Sequence, residues 1–394
     1  MLNIVKNTSV EGIRGLACLL VIASHLSLIL LPYLHGENPA LIKGSFDALI
    51  YSYPVGFLYS GTSAVYIFFA LSGFILTYAC LTKDNVLNSC INMALKRYIR
   101  LMLPVLASVI ICFIILSFFE NKTDGLPWIK SYGVGAKLDF GSAIYNGVFG
   151  AIFLGDNIYN WVTWTMKVEF YGSLLVFASL PLINSLSYKG LIAAIIAFLF
   201  MLCMPGKEGY GYSAFYFGVA IFYMKDIRHG VSSLVLFMSG LYLAGYHPRQ
   251  PSYHLLSSMI TFDMPGGSFQ HYYFFNMISG VLIVVSLLKS DCISFLVNNR
   301  VSVWLGKVSF SAYLIQMPVF YVVTTRVFYY LKSQGHSYAF NAVMAALITF
   351  VAVYLLAYIF WWAIDARSIA LSKYGLLIKD DSAQKISASG SQLN

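Results

Sequence analysis

Apolar residues run through this chain in long blocks, and polar residues gather at the joints between them. The blocks lie near 12–33, 62–82, 98–119, 166–187, 189–205, 210–225, 231–246, 271–289, 303–328 and 339–363. Most reach the length that crosses a hydrocarbon layer of roughly 30 Å at about 1.5 Å per residue. A peptide group in lipid has no water to bond, so blocks of this kind form helices. The pattern predicts an all-α fold, a polytopic transmembrane bundle of about ten helices. Three connections, 34–61, 120–164 and 247–270, are longer than hairpins. The second holds an apolar stretch, Ala143 to Leu154, too brief to span, which is expected to lie at the interface or to re-enter. Residues 1–378 read as one transmembrane domain, and 379–394, polar and Ser-rich, as a disordered cytoplasmic tail. The first block lacks a small-residue cleavage site and many spans follow it, so it is expected to be a retained helix.

Composition strengthens this picture. Of 394 residues 59% are hydrophobic and 10% charged, against about 25% charged in a soluble domain. The net charge of +9 is scattered between apolar blocks and forms no basic face, which sets a nucleic-acid partner aside. The cations instead sort by side. Lys83, Lys96, Arg97, Arg100, Lys225, Arg228, Lys289, Lys307 and Arg367 fall with the N-terminus; Lys43, Lys122, Lys130, Lys207 and Arg249 fall opposite. Positive residues collect in the cytoplasm, so the chain is expected to be N-in and C-in. Trp161 and Trp164 are expected in the outer aromatic belt. Asn121-Lys122-Thr123 fits a glycosylation sequon on that side. The six cysteines show no metal-like spacing and read as small core residues, and no metal site is expected.

Ionisable groups inside a span are costly and call for an explanation. His25 lies eleven positions after Arg14, a rise of roughly 16 Å and a return to within about 20° of the same helix face. Arg14 then sits at the cytoplasmic surface and His25 near mid-membrane, with Glu11 and Cys18 close to that face. The spacing fits an anion-binding group linked to a buried acid–base group, and equally a histidine that hydrogen-bonds across to another helix. Glu169, about a turn inside its span, either faces a polar cavity or is a rim carboxylate beside a snorkelling Lys167; two residues apart, those side chains point in different directions. Arg97 and Arg100 share a face, which suits phosphate binding as well as positive-inside anchoring. Asp365 and Arg367 read as boundary residues. Gly61-Thr62-Ser63 and Leu71-Ser72-Gly73-Phe74 place small residues where helices pack closely.

These segments together resemble the acyltransferase-3 family of multi-pass membrane enzymes. The resemblance rests on five fragments in order over nearly the whole chain. They are Arg14-Gly15-Leu16-Ala17 followed by His25; Ile67-Phe68-Phe69-Ala70-Leu71-Ser72-Gly73-Phe74; Arg97, Arg100 and Pro104; Trp164-Thr165 with Glu169; and Ser309-Phe310-Ser311-Ala312-Tyr313-Leu314-Ile315. Two positions depart from the family pattern. Tyr66 stands where many members carry Asp, and Gln316 where many carry His. Gln can hydrogen-bond but cannot shuttle a proton, so acid–base work falls on His25.

The resemblance implies transfer of an acyl group, usually acetyl, from cytoplasmic acetyl-CoA to a hydroxyl of a carbohydrate acceptor such as lipopolysaccharide O-antigen. Arg14, Arg97 and Arg100 would hold the phosphate-bearing donor. His25 would act as general base or relay the acyl group as an acyl-imidazole, and Glu169 would orient the acceptor or stabilise an imidazolium from the outer side. It also implies a bacterial inner-membrane location. A transporter or flippase of a lipid-linked saccharide shares the hydrophobicity and buried charges but would favour an internal repeat, and none is visible. A polysaccharide polymerase would want outer loops with more Arg.

Overall fold

In the computed structural model the ten apolar blocks all fold as helices. The structure describes residues 2–374 apart from positions 38, 43, 228 and 260–262, so the polar tail and the charges at Lys43 and Arg228 lie outside the described residues. The bundle helices are α1 (Leu2–Leu30), α2 (Gly61–Leu81), α3 (Val86–Phe118), α4 (Trp164–Ser185) and α5 (Lys189–Cys203), then α6 (Lys207–Tyr223), α7 (Gly230–Ala244), α8 (His271–Leu288), α9 (Arg300–Ser333) and α10 (Tyr338–Ser372). Among the described residues seven of these are long and apolar enough to cross a membrane; α5, α6 and α7 are shorter. The chain is a multi-pass membrane protein. Side chains cap the helix starts: Asn85 accepts from the Asn88 amide at 3.0 Å and Asn299 from the Ser302 amide at 2.9 Å, opening α3 and α9.

The central packing is α1 against α9, with α2 lying between α1 and the pair α6 and α8. Backbones approach so closely there that only glycine fits. A Cβ on Gly306 would stand 1.9 Å from the Glu11 carbonyl oxygen, and one on Gly73 would stand 1.9 Å from that of Phe215. Gly15 of the first sequence fragment meets Ser302 in the same manner. The apolar stretch of the second long connection resolves as a re-entrant helix, Phe140–Leu154. It starts with Phe140 beside Phe113 of α3, descends until Phe153 meets Tyr98, and the chain then climbs back to set Tyr159 beside Phe113. The Tyr98 hydroxyl holds it by donating to the Val148 carbonyl at 2.9 Å.

Prolines inside α3, α4 and α9 (Pro104, Pro181 and Pro318) each remove a backbone donor and free the carbonyl four residues earlier. The carbonyls freed by Pro104 and Pro318 are captured by neighbouring elements, as an apolar surrounding demands. Pro104 frees the Arg100 carbonyl, which accepts from the Ser368 hydroxyl of α10 at 3.1 Å. Pro318 frees the Leu314 carbonyl, which accepts from the Asn160 side chain at 2.9 Å. The helix after Pro318 widens into a π segment, Phe320–Thr324, whose Tyr321 carbonyl accepts from Asn121 at 2.8 Å. The sequon asparagine is thus engaged in the fold. Cys18, Cys80, Cys90 and Cys112 are buried core residues as expected, whereas Cys203 and Cys292 are exposed.

Gly306→Ala should lower stability by about 1–3 kcal/mol through overpacking of α1 on α9. Thermal unfolding of the detergent-solubilised protein measures this, and an unchanged melting temperature would contradict the close contact.

Candidate active site

The five sequence fragments sit on α1, α2, α3, α4 and α9, and these helices enclose one cavity of about 200 Å³. Arg14, Arg97 and Arg100 all line it, so three cations spread over 86 positions of sequence meet at one place. Most of the remaining wall is apolar, including Phe68, Leu76, Met166 and Phe310.

Each arginine has a carboxylate. Arg97 donates to Glu169, which also accepts from the Ser72 hydroxyl at 2.8 Å. Both side chains are 16% exposed, and the Arg97 Nε is buried with no partner. Arg100 donates to Asp365 at 2.6 Å and lies over the Phe310 ring at 5.4 Å. Arg14 pairs with Glu11 one turn earlier at 3.3 Å and is more open to solvent. The cavity is therefore rich in guanidinium donors but close to balanced in charge. Asp365 is a residue that sequence reasoning misplaced. It is no boundary residue but a buried partner, 2% exposed, turned inward by the π segment Trp361–Asp365 that ends the apolar part of α10. Ser72, in a fragment whose small residues predict close helix packing, in addition donates a hydrogen bond to Glu169.

His25 does not open onto this cavity. It lines a second one of about 490 Å³ at the other end of the bundle, walled by Trp128, Trp161 and Trp164 and edged by Thr62, Glu37 and Arg249. The shared helix face of Arg14 and His25 holds, but the face serves two chambers in succession. Val65 and Tyr313 line both and form the partition. Tyr313 is held there by Thr165 at 3.0 Å and by donation to the Val162 carbonyl at 3.0 Å.

Two expectations are corrected here. Glu169 belongs to the arginine chamber, bound to Arg97 and Ser72, and does not face His25 from the outer side. The physical reason is charge: a half-buried carboxylate goes to the nearest guanidinium. Lys167, as its direction implied, turns away and pairs with Glu208 at 2.8 Å. Trp161 and Trp164 line the histidine chamber rather than an outer belt, with Trp128 packed edge-on against Trp161 at 4.8 Å.

The His25 ring stacks on Trp128 at 5.4 Å and 22°, meets the edge of Phe320 at 6.2 Å, and its Nδ1 lies 3.0 Å from the Gln316 side-chain oxygen. It is not the only imidazole in the chamber. His35 and His247 line it too, 6.3 Å apart. Both come from the long connections, which carry no helical periodicity to mark an inward face, so the sequence held no signal for them. Burial, together with the nearby His247 and His25, pushes the His35 imidazole down to about 3. Burial and the Arg249 charge push His247 down to about 4. Both rings are neutral hydrogen-bonding groups at physiological pH. Among the described residues no His, Cys, Asp and Glu cluster has the makings of a metal site.

A family model described as Acyltransferase domain matches residues 7–362, nearly the whole chain. No curated protein and no solved structure matches significantly.

Asp365→Ala should cost about 3 kcal/mol, because it leaves Arg100 among apolar helices without its carboxylate. A melt in detergent indistinguishable from wild type would count against that pairing. The two depressed imidazoles set a pH dependence. The unfolded chain binds more protons below about pH 6.5, so their contribution is complete above that value and is lost as pH falls toward their folded values. Denaturant titrations at about pH 7.5 and pH 4.5 should show stability falling on acidification, with a smaller fall in His35→Gln.

Proposed function

The chain belongs to the acyltransferase-3 family, and from that premise we propose that it moves an acetyl group from acetyl-CoA to a hydroxyl of an exported or cell-surface glycan, of which lipopolysaccharide O-antigen is one. Membrane acyltransferase activity follows from the family; the donor, the acceptor and the roles below are our reading. The observation that carries it is the pair of chambers meeting at Tyr313, one rich in arginine and one in aromatic rings.

In this reading the arginine chamber takes the donor. Its volume and apolar wall suit the narrow acyl-pantetheine arm, with the phosphates of CoA at the mouth near Arg14. Guanidinium groups bind phosphate oxygens in pairs, and Arg14, Arg97 and Arg100 together line this chamber. The histidine chamber takes the sugar. Indole faces such as Trp128 accept the apolar face of a pyranose ring, while neutral His35 and His247 and the hydroxyls of Thr62 and Tyr272 meet its hydroxyls.

The acetyl thioester passes the Tyr313 partition to reach His25. There the imidazole takes the proton of the acceptor hydroxyl as its oxygen attacks the thioester carbonyl. The tetrahedral intermediate collapses, the C–S bond breaks, and the proton returns to the departing CoA thiolate. Glu169 holds Arg97 in place on the donor side. Both described ends of the chain lie near the arginine chamber, where Arg14 and Asp365 sit. The positive-inside bias supports a cytoplasmic position for that chamber, N-in and C-in, and the family is our ground for a bacterial inner membrane.

The test uses membrane vesicles given labelled acetyl-CoA and the cell's own glycan. His25→Ala should reduce transfer of label to carbohydrate by roughly 10²–10⁴-fold, and Arg97→Ala should chiefly raise the KM for acetyl-CoA. Label that never reaches carbohydrate in wild type, or His25→Ala cells with unaltered glycan acetylation, would refute the assignment.

A further inference from the structure

We infer that Gln316 is a positioning residue that holds the His25 imidazole in one tautomer, with the proton on Nδ1 and the lone pair on Nε2. This goes beyond the proposed reaction but rests on His25 being its base.

The argument runs through one buried amide. Gln316 is completely buried, and its side-chain nitrogen donates to the Tyr313 carbonyl at 2.9 Å. A backbone carbonyl can only accept, so the end of the amide facing it must be the NH2 group. The other end is then oxygen by chemistry, whatever the appearance of the two atoms. That oxygen lies 3.0 Å from His25 Nδ1. Oxygen accepts, so Nδ1 must donate. A neutral imidazole has a single N–H, and with it on Nδ1 the lone pair is left on Nε2. Trp128 stacked on one face and Phe320 at the edge fix the plane of the ring. Free histidine side chains prefer the opposite tautomer, so the lock has something to do.

The choice of amide also matters. A carboxylate at this place would make the same hydrogen bond but add a charge that favours the imidazolium over the neutral base. A neutral amide orients the ring without adding charge. The other ionisable groups facing the same chamber are His35, His247, Glu37, Arg249, Tyr272 and Tyr313. They are unchanged by substitution at position 316, so shifts between variants report on that position.

The experiment is ¹⁵N NMR of full-length, ¹⁵N-histidine-labelled protein in lipid nanodiscs, with the His25 signals assigned by their loss in His25→Ala. Wild type should show a protonated Nδ1 and an unprotonated Nε2. Gln316→Leu should revert to the Nε2–H form and lose roughly 10- to 100-fold in kcat/KM at every pH. Gln316→Glu should keep the Nδ1–H tautomer and move the acid limb of kcat/KM to higher pH. Wild type with its proton on Nε2, or an acid limb unmoved in Gln316→Glu, would overturn the inference. The NMR readout needs no turnover. Nδ1–H in a wild type that transfers no acetyl group supports the lock and refutes the proposed reaction; Nε2–H in an active wild type does the reverse.

Discussion

A guanidinium among apolar helices is tolerable only beside a carboxylate, and the pairing of Arg97 with Glu169 meets that demand while joining three helices. Ser72 completes it from α2, so α2, α3 and α4 are tied at one point. Arg100 and Asp365 repeat the arrangement between α3 and α10. The same rule governs the backbone. The carbonyls freed by Pro104 and Pro318 are taken up by Ser368 and Asn160, groups that lie far away in sequence. Polar pairing inside the bundle gives the helices their mutual register, since apolar faces alone slide against one another at little cost.

Function in the proposed reading uses these same pairs. The arginines that need carboxylates to enter the bundle form the donor chamber, and the Asn160 that repairs the Pro318 break lies next to Trp161 of the acceptor chamber. Tyr313 stands where the two chambers meet. Its carbonyl orients Gln316, which in turn faces His25. One residue of the last sequence fragment thus contributes both the partition and the support of the candidate base.

Much of this was legible in the chain. Arg14 and His25 fall on one helix face by arithmetic alone, and each of the five fragments contributes wall to a single cavity, although His25 and Trp164 line the other one. Asp365 was not legible, because a carboxylate near a helix end looks the same whether it faces water or a buried arginine. Glu169 was marked as needing a polar environment, but the choice between His25 and Arg97 depended on the relative rotation of α3 and α4. The positions of His35, His247 and Trp128 were beyond reach for another reason. They lie in long connections with no periodicity to tell an inward side chain from an outward one.

The sequence by itself determined that the chain is an all-helical membrane protein, since block length and the need to satisfy peptide groups in lipid leave no other solution. It also determined which residues are too polar to lie there idle. Only the tertiary structure decided which of them meet. It divided the Arg14–His25 face into two chambers, gave Glu169 to Arg97, and put the amide of Gln316 against Nδ1 of His25. The physical reason is that a helix fixes distances along its own axis, whereas partners across helices depend on close backbone contacts such as Gly306 on Glu11, which no single segment encodes.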